Sequence, residues 1–433
     1  MLFGSNFPTS LTTLLANFQS LFTAPTFTTF SAMVTGFLAQ IGEHNVCGML
    51  SGAGLAQRWH HSRAHRFFSN RRWSVEQVGL HVATLVVQRL VLADAPIQLV
   101  VDDTLFRRTG RKVFGARWCH DGSAVGRSAV GFGNCFVVLG VVVSLPFCPR
   151  PVCLPVLCSL WQKGSKIVIA RRLVVRLAER FPDRILHVTG DAAYASRDLR
   201  GLPSRISWTT RPRANAVFHG LTPARTGKRG RPRTKGQRLC SITELAATLH
   251  WEKRTLTRYG ATATVEIAHR QLLWYLPFGT QPVRLVLVRD PGASGHDIAL
   301  ITTDLTAAPT QIVERYASRW SIEVAFEEAK QVTGVGEARN RTEPAVRRTV
   351  PFGLVCQSLL TLWYATSLHA DDVVEERRRR APWYRTKTAP ATTDMLLTAR
   401  RVLIAAQFSA HRPAAPTTSE IRDVQHAWAM AAA

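Results

Sequence analysis

Apolar residues recur at helical spacing through the first 95 positions. Leu11, Leu14, Leu15, Phe18, Leu21 and Phe22 fall three, four and seven apart, the period of one helix face. A second amphipathic stretch runs from Val75 to Leu92. Ser74 stands just before it with Gln77 three residues on, the pattern of an N-terminal cap. Residues 1–95 therefore read as a helical region.

The period changes after that. Ile97 to Val101 is an apolar run that meets Asp102, Asp103 and Thr104, and reads as a strand ending in carboxylates. Lys112–Cys119 and Asn134–Leu145 read as two more strands, Lys163–Arg180 as an amphipathic helix, and Ile185–Asp191 as a strand ending in Gly190 and Asp191. The expected order is strand, strand, strand, helix, strand, with an Asp at the C-terminal end of the first and last strands. Sites gather at those ends where strands run parallel. Residues 96–205 are thus the first part of an α/β core.

Residues 206–305 form a β-rich insertion. Ser207–Arg213 is strand-like, and alternating patterns run from Ala246 to Tyr275 and from Val283 to Val288. A helix framed by Pro309 and Gly334 follows, which makes 306–345 the closing part of the core, and 346–433 read as helical, with segments at Val350–Thr366 and Asp394–Ala406.

Charge narrows the partners. The 433 residues carry 55 Lys and Arg against 29 Asp and Glu, a net charge of +26, and arginine dominates the cations. So large an excess points to a polyanion, nucleic acid before a membrane surface. The longest apolar run, Cys135–Phe147, is too short to span a bilayer, and the N-terminus lacks the basic stretch of a secretory signal. The expectation is a soluble chain in the cytoplasm, associated with the nucleoid. None of the eight cysteines makes a Cys-x-x-Cys pair, which excludes the common zinc modules. His60, His61 and His65 lie in a basic patch that reads as a loop touching DNA backbone, with zinc binding the lesser alternative.

The densest chemistry lies in Tyr316, Arg319, Glu323 and Lys330. On one helix their offsets fall within a wedge of about 60°. A carboxylate can hold a metal, and Arg, Lys and Tyr can hold phosphate oxygens. Asp103 and Asp191 supply two further carboxylates. Alternation along a strand leaves only one of Asp102 and Asp103 on the active face, and Asp103 is the one favoured here. Two Asp and one Glu on converging elements suit two Mg²⁺ or Mn²⁺ ions, which can activate an attacking oxygen and stabilise a leaving one. Glu327 lies near the same helix face as Glu323.

The spacing Tyr-x2-Arg-x3-Glu-x6-Lys, matched without a gap by Tyr316, Arg319, Glu323 and Lys330, resembles the signature of one branch of bacterial insertion-sequence DDE transposases. Asp103-Thr104, Gly190-Asp191 and the stretch Gly334–Arg339 are similar to that family too, and the likeness covers roughly residues 60–400. The resemblance selects Glu323 over Glu327. It implies an RNase H-like core with a β-rich insertion, metal binding by Asp103, Asp191 and Glu323, and phosphate contacts from Tyr316, Arg319, Lys330 and, less firmly, Arg211. It also implies a homodimer pairing two terminal inverted repeats. Some relatives hold a flipped base on an insertion-domain tryptophan; Trp251 and Trp274 lie in the insertion here, but in no motif that aligns.

Lys228–Arg233 contains an Arg-Gly-Arg-Pro core like that of an AT-hook, so Arg229 and Arg231 are candidates for a narrow minor groove. The sequence thus points to a DNA transposase that cleaves element ends and joins the freed 3′-OH to target DNA. The alternatives are a non-catalytic binding remnant and a nuclease without strand transfer.

Overall fold

A computed structural model describes residues 8–42, 44–122, 129–224, 230–369, 371–410 and 422. Five helices come first: α1 Thr9–Ala16, α2 Ala24–Ala39, α3 Val46–Gly52, α4 Ser62–Ser69 and α5 Val75–Leu90. The cap read at Ser74 is present, its side chain accepting from the Gln77 N–H. The basic patch expected as a loop is largely helical, because Ala64, Phe67 and Phe68 give α4 a buried face.

Four strands and a helix follow: β1 Ile97–Arg107, β2 Arg117–His120, β3 Val130–Val143, β4 Val152–Leu160 and α6 Lys166–Arg180. Next come β5 Leu186–Gly190 and β6 Ile206–Thr210. Strand β4 is absent from the sequence reading, where Pro155 spoils the pattern. Among the described residues it pairs only with β3 and is therefore an edge, where a proline costs no ladder bond. Helix α5 packs close to it: a Cβ on Gly79 would lie 2.1 Å from the Val156 carbonyl oxygen.

The stretch up to residue 305 goes on with α7 Ile242–Thr248, β7 Glu252–Arg258, β8 Ala261–Leu272, the short α8 Tyr275–Phe278, β9 Val283–Arg289 and β10 Ile298–Thr302. Helix α7 occupies positions where a strand pattern was expected to begin, and Ser241 caps it in a reciprocal pair with Glu244. The last helices are α9 Pro309–Ser318, α10 Trp320–Gln331, α11 Glu343–Trp363, α12 Val373–Arg380 and α13 Thr392–Ala410.

All ten strands join one mixed sheet in the order β2-β3-β1-β5-β6-β10-β9-β8-β7, with β4 beside β3. Strands β1, β5 and β6 run parallel, while β3 is antiparallel to β1 and β4 to β3. Strands β7 to β10 extend the sheet formed by the earlier strands, because β10 pairs directly with β6. Strand β3 is buried along nearly its whole length, as its Val-rich run requires. Helix α11 is almost wholly buried too. It meets the N-terminal helices through Phe352, which is fully buried among the rings of Phe30, Phe37, Phe67, Phe68 and Trp73. Among the described residues no helix is long and apolar enough to cross a membrane.

Candidate active site

The aspartates do not end β1. The strand runs on to Arg107, so Asp102 and Asp103 are internal and their side chains leave opposite faces of the sheet. Asp103 points toward α6. Its Oδ2 lies 2.5 Å from Lys166 Nζ and accepts from the Cys135 thiol at 3.3 Å, and its Oδ1 accepts from the Tyr194 hydroxyl at 3.1 Å. Burial, and then the charge of Asp103, raises Tyr194 well above the usual phenol range, so its hydroxyl keeps the proton it donates. Burial opposes the charge on Lys166, but the bond to Asp103 holds its ammonium above the ordinary value. Asp103 is thus held on the α6 side by Lys166, Cys135 and Tyr194.

Asp102 faces α10. Its Oδ2 lies 3.3 Å from Arg319 Nη1, while Arg319 Nη2 donates to Glu323 Oε1 at 2.7 Å. The last register pair of β1 and β5 is Val101 with Gly190, so Asp102 and Asp191 are the next residues on adjacent parallel strands. Burial, then the charge of Asp191, raises the Asp102 carboxyl to about 7, although Arg319 and the Asp103 N–H work in the other direction. Asp102, where Asp103 was expected, is thus the aspartate on the face that carries Glu323. Strand alternation did leave one aspartate there, but the register with β5 decides which, and sequence does not display register.

Asp191 is held by its own turn. Its Oδ1 accepts from the Ala193 N–H at 2.9 Å, and its carbonyl accepts from Thr210 Oγ1 at 2.5 Å. Tyr194 follows three residues later and crosses to Asp103, so a single turn ties together the two strands that carry the acids. Lys166 and Tyr194 had no role in the sequence reading. No motif marks them, and only the fold brings them to Asp103.

The helix signature is split but nearly continuous. Helices α9 and α10 meet at Arg319, which keeps helical dihedrals of −53° and −35°. The Ser321 hydroxyl donates back to the Ser318 carbonyl at 2.7 Å. Tyr316 is buried in the small core between α9 and the insertion strands. Burial raises its phenol, an effect opposed by Arg319 and Arg211, and Arg211 is itself exposed near this point. Lys330 lies further along β1, its ammonium 5.7 Å from the Phe106 ring and held below the usual lysine range by burial. The four signature residues therefore track along the sheet instead of converging. Glu327 is exposed, and Glu323 is the glutamate that Arg319 engages.

Among the described residues no three His, Cys, Asp or Glu side chains stand close enough to hold a metal ion, and Arg319 occupies the space between Asp102 and Glu323. The donor chemistry still fits a hard divalent cation. Burial first, and then the neighbouring Asp191 charge, raise Asp102, and an oxygen-only set suits Mg²⁺. The histidine patch offers less: the His60 and His61 rings lie 4.3 Å apart, tilted by 35°, and His65 lies 3.5 Å from the Cys47 sulfur. Trp274 is buried, and Trp251 donates to the Ala246 carbonyl with Arg289 over its ring at 4.0 Å, so both are packed side chains. Arg231 is exposed. Arg229 lies outside the described residues.

The chain belongs to the DDE superfamily endonuclease family, whose model matches residues 17–272. That span includes both aspartates and stops short of Glu323. Among solved structures, the chain is similar to a cryo-EM structure of piggyBac transposase in a synaptic complex with hairpin DNA, at a TM-score of 0.39 and 11% identity, covering 98% of this chain and 81% of that one. A likeness that loose carries no argument here. No curated protein matches the chain.

Proposed function

We propose that this protein is a divalent-metal-dependent DNA transposase that cleaves element ends and joins the freed 3′-OH to target DNA. The observation that carries the reading is the placement of Asp102 and Asp191 side by side on parallel strands, with Glu323 linked to Asp102 through Arg319. The core strand order β4-β3-β1-β5-β6 supports an RNase H-like reading.

In this account Asp102, Asp191 and Glu323 would hold two Mg²⁺ or Mn²⁺ ions. When bound, such ions lower the pKa of an attacking water or hydroxyl and stabilise the charge of the phosphodiester being cut. The chain's own residues position the DNA. Arg319 presents a planar fork suited to two phosphate oxygens. Arg211 and Tyr316 lie on the insertion side of it and Lys330 on the β1 side, so the backbone is gripped on both sides of the acids. In the first reaction a water oxygen bonds to phosphorus and the bond to O3′ breaks, leaving a 3′-OH and a 5′-phosphate. In the second, that 3′-OH attacks a target phosphodiester and displaces its O3′, which needs no outside energy source. Pairing of two ends by a homodimer, and a minor-groove contact from Arg229 and Arg231, complete the proposal. A nucleoid-associated cytoplasmic location follows from the DNA substrate.

The test is incubation with Mg²⁺ and a labelled duplex carrying the DNA that flanks the reading frame. Cleavage plus joined products supports transposition. Nicking without joining supports a plain nuclease, and retarded but intact DNA supports a binding remnant.

A further inference from the structure

The face of the sheet that carries Asp102 does not end at the acids. Asp102 pairs with Val138, Thr104 with Phe136 and Phe106 with Asn134 along β3, and two residues further along β3 Phe132 pairs with Trp118 on β2. All four β3 partners have the same parity, so Asp102, Thr104, Phe106 and Trp118 share one face. Trp118 is 71% exposed, on a strand whose outer edge is unpaired among the described residues. Its ring rests 5.7 Å from that of Phe132, which fixes the indole while leaving it open to solvent.

The ground between Asp102 and Trp118 is cationic. The Lys330 ammonium lies over Phe106 at 5.7 Å. Arg108 Nη1 donates to the carbonyls of Gly336 and Ala338 at 2.9 and 2.6 Å. That bond holds a loop bearing the exposed Arg339 and Arg341 against the same face. Gly336 lets the loop lie this close: its φ is 101°, and a Cβ there would sit 2.5 Å from the Phe106 ring. Counted along the strand and across two ladders, Trp118 is roughly 20 Å from Asp102. A strip of cations that starts at the acids and ends on an exposed ring has the chemistry of a single-strand platform, with phosphates on the cations and a base on the ring.

We propose that Trp118 is a nucleobase-stacking site for unpaired DNA several nucleotides from the scissile phosphate. This rests on the DNA-cutting function proposed above and adds a preference for single-stranded flanks. An exposed tryptophan could instead serve contact between copies of the chain, but an apolar self-contact is disfavoured beside so many like charges.

The experiment compares fluorescently labelled duplexes of one sequence, blunt or carrying an eight-nucleotide single-stranded tail, by anisotropy in EDTA so that nothing is cut. Stacking of one base is worth about 1–3 kcal/mol, so Trp118→Ala is expected to weaken binding of the tailed DNA by roughly 5- to 150-fold. Blunt-duplex affinity should be unchanged, and Trp118→Phe should recover most of the loss. Equal loss on both DNAs, or no loss on the tailed one, overturns the proposal. So does a Trp118→Ala chain that changes only its sedimentation behaviour. If the wild-type chain binds both DNAs and Trp118→Ala matches it, this inference alone fails. If the wild type binds neither, the function proposed above fails with it.

Discussion

Arg319 stands between Asp102 and Glu323, 3.3 Å from the first and 2.7 Å from the second, on a guanidinium that is largely buried. One side chain thus relieves the repulsion that two acids would otherwise feel, and it comes from the helix that presents Glu323. Replacing it should affect the chemistry more than the fold. Arg319→Ala is expected to lower DNA cleavage by about 10²- to 10³-fold, the usual cost of losing a preorganised donor at a charged reacting centre. Arg319→Lys should not restore it, because an ammonium cannot reproduce the fork. Wild-type cleavage rates for Arg319→Lys would show that the geometry of this contact is irrelevant.

The same cluster sets a pH dependence. Asp102 is raised to about 7 by burial and the Asp191 charge, from an unfolded value near 3.8. The folded chain therefore keeps a proton that the unfolded chain releases. Stability from this group is fully present below about pH 4, falls as pH rises through about 7, and is level above that. In EDTA, denaturant unfolding should show this decline, on the order of a few kcal/mol at most. Asp102→Asn should flatten it. A slope that persists in Asp102→Asn would assign the titration elsewhere.

Phe352 carries a test of the architecture. It joins α11 to α2, α4 and the Trp73 segment through five ring contacts with centroid distances from 5.2 to 6.5 Å. Phe352→Ala should cost about 3–5 kcal/mol of unfolding free energy, the range for deleting a buried aromatic ring. A loss below about 1 kcal/mol, read by chemical denaturation, would mean that the N-terminal helices do not dock where the structure has them.

How much of this was legible in the sequence depends on distance along the chain. The cap at Ser74, the amphipathic helices and the apolar strands follow from local spacing, and each was readable. The preference for Glu323 over Glu327 rested on the resemblance's Tyr-Arg-Glu-Lys spacing, and in the fold Glu323 is the glutamate that Arg319 engages. Which of Asp102 and Asp103 shares a face with Glu323 was not readable, since it depends on how β1 is placed against a strand some 85 residues on and against α6 and α10. Strand β4 hid behind Pro155, and α7 behind a short pattern that suits either element. Lys166 and Tyr194 became visible only once α6 and the Asp191 turn were folded against β1. The insertion's strands were recognisable, but nothing local says that β10 will pair with β6 and lengthen the core sheet.

The most direct measurement is Mg²⁺-dependent cleavage of a labelled element-end duplex by the wild-type chain, Asp102→Asn and Asp103→Asn, side by side. The account predicts that Asp102→Asn abolishes cleavage while still retarding the DNA. Asp103→Asn, which keeps an acceptor for Tyr194 and loses only a charge already neutralised by Lys166, should retain measurable cleavage. Loss in Asp103→Asn with activity kept in Asp102→Asn would contradict it, and would place the reacting phosphate on the α6 side of the sheet.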